Sequence, residues 1–135
     1  MRKALAIAVA TVLSAWIWAA VAQAPAEQAI HDVIARQLEA MQRDDHAAAF
    51  AFASPAIQAM FGDAATFMRM VAQGFPQVHR SRSHRFLKLE IVDDKLIQRV
   101  LIESDTGTVV AQYEMVEVDG AWRINGCRLE KAEGA

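Results

Sequence analysis

Three polar residues interrupt otherwise apolar strand-like segments in the second half of this 135-residue chain: Gln98, Gln112 and Glu114. A carboxylate held in an apolar pocket resists ionisation and can act as a general base. If the faces that carry these residues look into a cavity, they are the candidate pocket polar groups. If those faces look outward, they are the solvated half of an ordinary alternating sheet. A second cluster runs from His79 to Arg85, with three arginines and two histidines in seven residues. Arginine forks suit carboxylates and phosphates, which makes Arg80, Arg82 and Arg85 the candidate anion-binding residues, for an anion or an acidic partner. The histidines would make such a site pH-sensitive. The same composition also suits a solvated connection leading into the first strand.

Other chemistry is missing. No G-x-G step occurs, so neither a dinucleotide loop nor a phosphate loop is written here. There is no H-E-x-x-H, no cysteine pair and no G-x-S-x-G elbow. His31, His46, His79 and His84 show no metal-ligand spacing. Cys127, the one cysteine, sits in apolar company without a visible histidine partner, and reads as a buried thiol rather than a nucleophile. No catalytic residue, no metal site and no cofactor is therefore assigned. The pair Asp44-Asp45 precedes an alanine-rich helical segment and reads as a helix cap.

The elements that must position these residues follow from periodicity. Arg85 to Val92 alternates, with Leu87, Leu89 and Ile91 on one face; Asp93-Asp94 turns the chain. Leu96 to Glu103 and Val109 to Val118 follow, separated by Asp105-Thr106-Gly107. Asp119-Gly120 suits a type I′ hairpin turn, because both central residues need positive φ. In the last strand, a bulge at Asn125-Gly126 would bring Trp122, Ile124, Cys127 and Leu129 onto one face.

The preceding half is helical. Ala26 to Gln42 places Ala29, Ile30, Val33, Ile34, Leu38 and Met41 in one apolar stripe. A short helix from His46 to Ala53 follows, then one opened by Ser54-Pro55 and ended by Gly62, and one capped by Asp63 and closed by Gly74. Four methionines between Met41 and Met70 suit core filling, and also an adaptable pocket.

Residues 1–22 carry Arg2 and Lys3, an uncharged, mostly apolar run, and a small-x-small ending at Ala20-Val21-Ala22. This predicts a cleaved signal peptide and a mature start at Gln23, with an uncleaved anchor as the rival. Residues 23–135 then form a single domain that is periplasmic or secreted, with nothing to hold it to a membrane. Without Arg2 and Lys3, 12 basic residues face 16 acidic ones, a net charge of −4 that argues against nucleic acid as a partner.

Several features together resemble a family of exported bacterial proteins that carries a domain of unknown function. They are the first helix, Asp44-Asp45 with Ala49-Phe50, Ala53-Ser54-Pro55, the helix from Phe67 to Val71, Gly74-Phe75-Pro76, and the ending from Asp119 through Trp122 to Cys127. The resemblance covers about Ile30 to Leu129 and looks like the nuclear-transport-factor-2-like group. It implies a curved antiparallel sheet wrapped on a long first helix, and carries over no catalytic residue. The larger cone-fold enzymes have more than the four strands found here, so the sheet leaves room for a small pocket or none.

The expected fold is α+β: N-terminal helices packed on a curved four-stranded antiparallel meander. The expected function is a non-enzymatic module that binds a small apolar ligand or a protein partner, with a homodimer among the options. The alternatives are a small cone-fold enzyme with a carboxylate base, and an anion or acidic-partner binder using residues 79–85.

Overall fold

A computed structural model describes residues 10–132, with side chains from Pro25 onward. Five helices precede four strands: α1 (Ala10–Gln42), α2 (His46–Ala51), α3 (Pro55–Phe61), α4 (Ala64–Gly74), α5 (Pro76–His79), β1 (Ser81–Val92), β2 (Lys95–Ser104), β3 (Gly107–Val118) and β4 (Ala121–Lys131). The sheet is an antiparallel meander in the order β1-β2-β3-β4, and the fold is α+β as expected. The expected signal peptide lies outside the residues whose side chains are described. Among the described residues, no helix is long and apolar enough to cross a membrane.

The apolar stripe of α1 becomes the spine of the core. Ile30, Ile34, Leu38 and Met41 are buried, at the four- and three-residue spacing that keeps one helix face inward. Burying four such side chains contributes about 6–12 kcal/mol as an upper bound. The helix touches both outer strands, β1 and β4, so it lies across the sheet. It is longer than the expected 26–42 and passes through Pro25 without stopping.

The short helices are set by their caps. Asp45 accepts from the Ala48 amide (3.1 Å), Ser54 from Ile57 (3.2 Å) and Asp63 from Thr66 (2.7 Å), each satisfying a first-turn N–H. The Asp44-Asp45 pair divides its work. Asp45 caps α2, while Asp44 adopts a left-handed turn (φ 55°) and pairs with Arg80 (2.7 Å). Phe75-Pro76, expected as a simple turn, opens the single-turn helix α5.

All three tight turns of the sheet use aspartate: Asp93-Asp94, Asp105-Thr106 and Asp119-Gly120. Asp119-Gly120 has φ of 51° and 80°, as a type I′ turn requires. Asp93-Asp94 has φ of 50° and 64°, so the β1–β2 hairpin uses the same device without glycine. The expected β4 bulge is present: Glu114 pairs with Gly126 and Met115 with Ile124, which leaves Asn125 as the extra residue. Trp122, Ile124, Cys127 and Leu129 consequently share the face of Ala111, Tyr113 and Met115. Ile124 is buried; the other three are half-buried against the core.

A second bulge departs from the alternation read in the sequence. Phe86 pairs with Val100 and Leu89 with Gln98, so Leu87 and Lys88 stand opposite Arg99 alone. Phe86 and His84 therefore share the inner face with Leu89 and Ile91, and Leu87 does not. The strand also begins at Ser81, so most of the basic stretch is strand rather than connection.

Candidate functional site

The inner face of the sheet does not pack solidly against the helices. A cavity of about 270 Å³ lies between α3, α4 and α5 on one side and β3 and β4 on the other. Tyr113, Ile124 and Cys127 form its floor. Phe61, Phe67, Met70, Val71 and Phe75 supply its helical walls, and α1 closes it with Gln37 and Met41. Met60, 71% exposed, stands at the mouth. No charged side chain lines it. Three of the four clustered methionines, Met41, Met60 and Met70, border this space, so pocket lining and core filling both draw on them.

Three residues with polar groups, Gln37, Tyr113 and Cys127, belong to the cavity wall. Gln37 is buried, and its Nε2 donates to the Ala49 carbonyl at 3.1 Å, which anchors the amide to α2. Tyr113 is 1% exposed, and its hydroxyl finds no hydrogen-bond partner among the described residues. Burial pushes the phenol well above its ordinary range, with a smaller contribution from neighbouring Cys127, so it is a neutral donor at every physiological pH. Tyr113 and Cys127 are direct cross-strand partners, which brings phenol and thiol to one patch of floor. Burial pushes the Cys127 thiol up to about 12. A thiol so placed is a soft apolar contact and not a nucleophile.

The residues singled out from the sequence do not gather there. Gln98 faces inward but away from the cavity. Its Nε2 donates to the carbonyls of Leu87 (3.1 Å) and Arg99 (2.9 Å), and its Oε1 lies 3.2 Å from His31 Nε2. An amide oxygen must face a donor, so the network assigns the proton of His31 to Nε2. Gln98 is thus a plug: it satisfies Leu87, which has no partner in the β1–β2 register. His31 in turn stacks on Phe86, centroids 3.9 Å apart and nearly parallel, and locks α1 to β1.

Gln112 and Glu114 lie on the outer face, beside a shallow depression of about 190 Å³ with Lys95, Ile97 and Arg128. Glu114 is half-buried and engaged: Asn125 Nδ2 donates to it at 3.0 Å and Lys95 Nζ lies 3.5 Å away. Asn125 also accepts from Ser54 Oγ at 2.6 Å. The bulge therefore threads a polar chain, Ser54–Asn125–Glu114–Lys95, from the cap of α3 to the outer face.

The basic stretch is dispersed in the same way. Arg80 donates to the Met41 carbonyl (2.7 Å), which also accepts from the Asp44 amide (3.2 Å) at the end of α1, and to the Asp44 carboxylate. That hydrogen bond holds the Asp44 carboxyl below its ordinary range. Arg82 pairs with Asp105 (2.9 Å) in the β2–β3 turn, and Arg85 sits on the outer face opposite Leu101. His79 is lowered by burial and by the Arg80 charge, which keeps it neutral near pH 7. No common focus for an anion results. Among the described residues, no group of three histidine, cysteine, aspartate or glutamate side chains is arranged to hold a metal.

Two cavity residues escaped the sequence reading. Gln37 sits within the apolar stripe of α1, between Ile34 and Met41, and a polar residue at such a position is the signal that marks it. Tyr113 reads as a core aromatic, and nothing in its spacing tells that its hydroxyl lacks a partner.

Residues 23–135 match the family described as a domain of unknown function (DUF4864). No curated protein and no solved structure matches the chain.

Proposed function

The chain belongs to that family, whose description names no activity, and from this premise we propose that it is an exported module that binds a small, largely apolar ligand between its helices and its sheet. The observation that carries the reading is the cavity of about 270 Å³ with an apolar, uncharged wall. Concave, mostly apolar spaces with few polar groups are where proteins hold small molecules. The flexible methionines at the mouth and wall suit a surface that repacks around its occupant. Export rests on the composition of residues 1–22.

Binding is favoured over catalysis by what the cavity holds. Its titratable groups, Tyr113 and Cys127, are both shifted upward and stay protonated near neutral pH. Neither serves as a base or nucleophile in that state. The carboxylate of Glu114, the base of the enzymatic alternative, lies on the other face of the sheet with Lys95 and Asn125.

The test uses protein labelled with ¹³C at the methionine methyls and titrated with n-butylbenzene. The signals of Met41, Met60 and Met70 are expected to shift saturably, while Met68, in the core but not on the cavity wall, moves little. Met70→Trp, which fills the space, is expected to abolish the shifts. Absence of saturable shifts up to the solubility limit overturns the proposal, as does an equal response at Met68.

A further inference from the structure

The rings on the helical wall of the cavity distinguish among apolar molecules. We infer that the ligand carries a benzene ring, which this wall prefers to a saturated ring of the same carbon count. This rests on the cavity being a binding site. The phenylalanines of the helical half form a row. Phe50 and Phe67 are tilted with centroids 5.4 Å apart, and Phe67 meets Phe61 edge to face at 5.8 Å. Phe67 is buried between its two neighbours. Phe61 ends the row: it is half-buried, borders the cavity and has Phe67 as its one ring neighbour. Phe75, also half-buried on the cavity wall, has no ring neighbour among the described residues. Aromatic rings gain from offset or edge-to-face partners about 4.5–7 Å away, beyond what area burial gives. Phe61 and Phe75 leave that gain open on the cavity side.

Sulfur points the same way. Met60 and Met70 border the same space, and neither is fully buried. A thioether makes a favourable contact with an aromatic ring, often at its edge. A saturated ring offers neither interaction. Volume sets the size: about 270 Å³ holds roughly nine non-hydrogen atoms at about 30 Å³ each, which is one benzene ring with a short substituent.

The methyl titration, run with 2-phenylethanol and 2-cyclohexylethanol, separates this claim from the one it rests on. The two compounds share carbon count and hydroxyl and differ in the ring. The cyclohexyl compound is the more hydrophobic, so area burial alone ranks it first. The phenyl compound is expected to bind about tenfold more tightly, through two or three ring contacts. Phe75→Leu, which keeps the wall apolar and removes one ring, is expected to lower that ratio about threefold. Equal affinity, or tighter binding of the cyclohexyl compound, overturns the aromatic assignment and leaves the cavity reading standing. An unchanged ratio in Phe75→Leu does the same. Saturable shifts from neither compound overturn the cavity reading itself. Should Phe75→Leu not fold, the methyl protons of Met60 and Met70 in the unaltered protein decide. A bound benzene ring displaces them by its ring current. Larger shifts at saturation with the phenyl compound support the assignment, and equal shifts overturn it.

Discussion

Replacing Gln98 with leucine is the most direct probe of how the inner face holds together. Gln98 is fully buried, and its side chain makes three hydrogen bonds, to Leu87, Arg99 and His31. Leucine is no smaller than glutamine, so the change removes bonds without opening a cavity. The Leu87 carbonyl, unpaired at the bulge, loses its donor at a cost of about 1–3 kcal/mol. The half-buried His31 loses an acceptor, a smaller loss of about 0.5–1 kcal/mol because water reaches it. Arg99 keeps its place in the β2–β3 ladder, and burying an alkyl group instead of an amide offsets part of the loss. The net is a destabilisation of about 2–3 kcal/mol, which for a domain near this size lowers Tm by roughly 10 °C. Thermal unfolding followed by far-UV circular dichroism measures it. Arg82→Ala is the control: its pair with Asp105 is solvent-exposed, so a change of about 2 °C or less is expected. A fall below about 2 °C for Gln98→Leu would show that the bulge does not depend on this amide.

Two further predictions concern protons. The Asp63 carboxyl is held below its ordinary value near 3.8, chiefly by the Thr66 amide at the start of α4. Its stabilising contribution is therefore present above about 3.8 and lost as pH falls through the folded value. Asp63→Ala should lower Tm at pH 7 and converge on the unaltered protein near pH 2; an equal deficit at both pH values would refute the cap. With its thiol raised to about 12, Cys127 should react with Ellman's reagent at pH 8 far more slowly in the native protein than in urea. Equal rates in the two states would show that the thiol is not desolvated.

Much of the fold was legible in the sequence because local chemistry and the final structure agree. Asp45, Ser54 and Asp63 cap the helices they precede, and Asp119-Gly120 forms the turn its residues require. The Asn125-Gly126 bulge followed from an apolar row that a regular strand would have split. The bulge at Leu87 was hidden by the opposite circumstance. Leu87, Leu89 and Ile91 alternate as a regular strand would, and only the pairing with β2 shows that Phe86 takes the inward place. Gln98, Gln112 and Glu114 looked alike as polar interruptions. Their fates differ because adjacent strands fix which parity faces in: Gln98 pairs opposite inward Tyr113, while Gln112 and Glu114 flank that tyrosine and face out. The cavity itself was not legible, since it depends on how far the short helices stand from the sheet. Apolar spacing marks a face as buried but does not say what fills the space against it.

The parallel bridge between Ala53 and Ile124 has a kinetic consequence. Every ladder of the meander joins neighbours in sequence across a short turn, so the sheet can zip from its hairpins. The helical half is fastened to the last strand by Phe52, Ala53 and Ser54, with Ser54 and Asn125 separated by 71 positions. Closing a loop of that length costs about 2.5 kcal/mol more than closing a four-residue turn. Contacts of such separation form after the local ones. The space between helices and sheet thus exists only once this long closure is made. It belongs to the last act of folding, and to the first part of the molecule to part when the clasp at Ile124 is released.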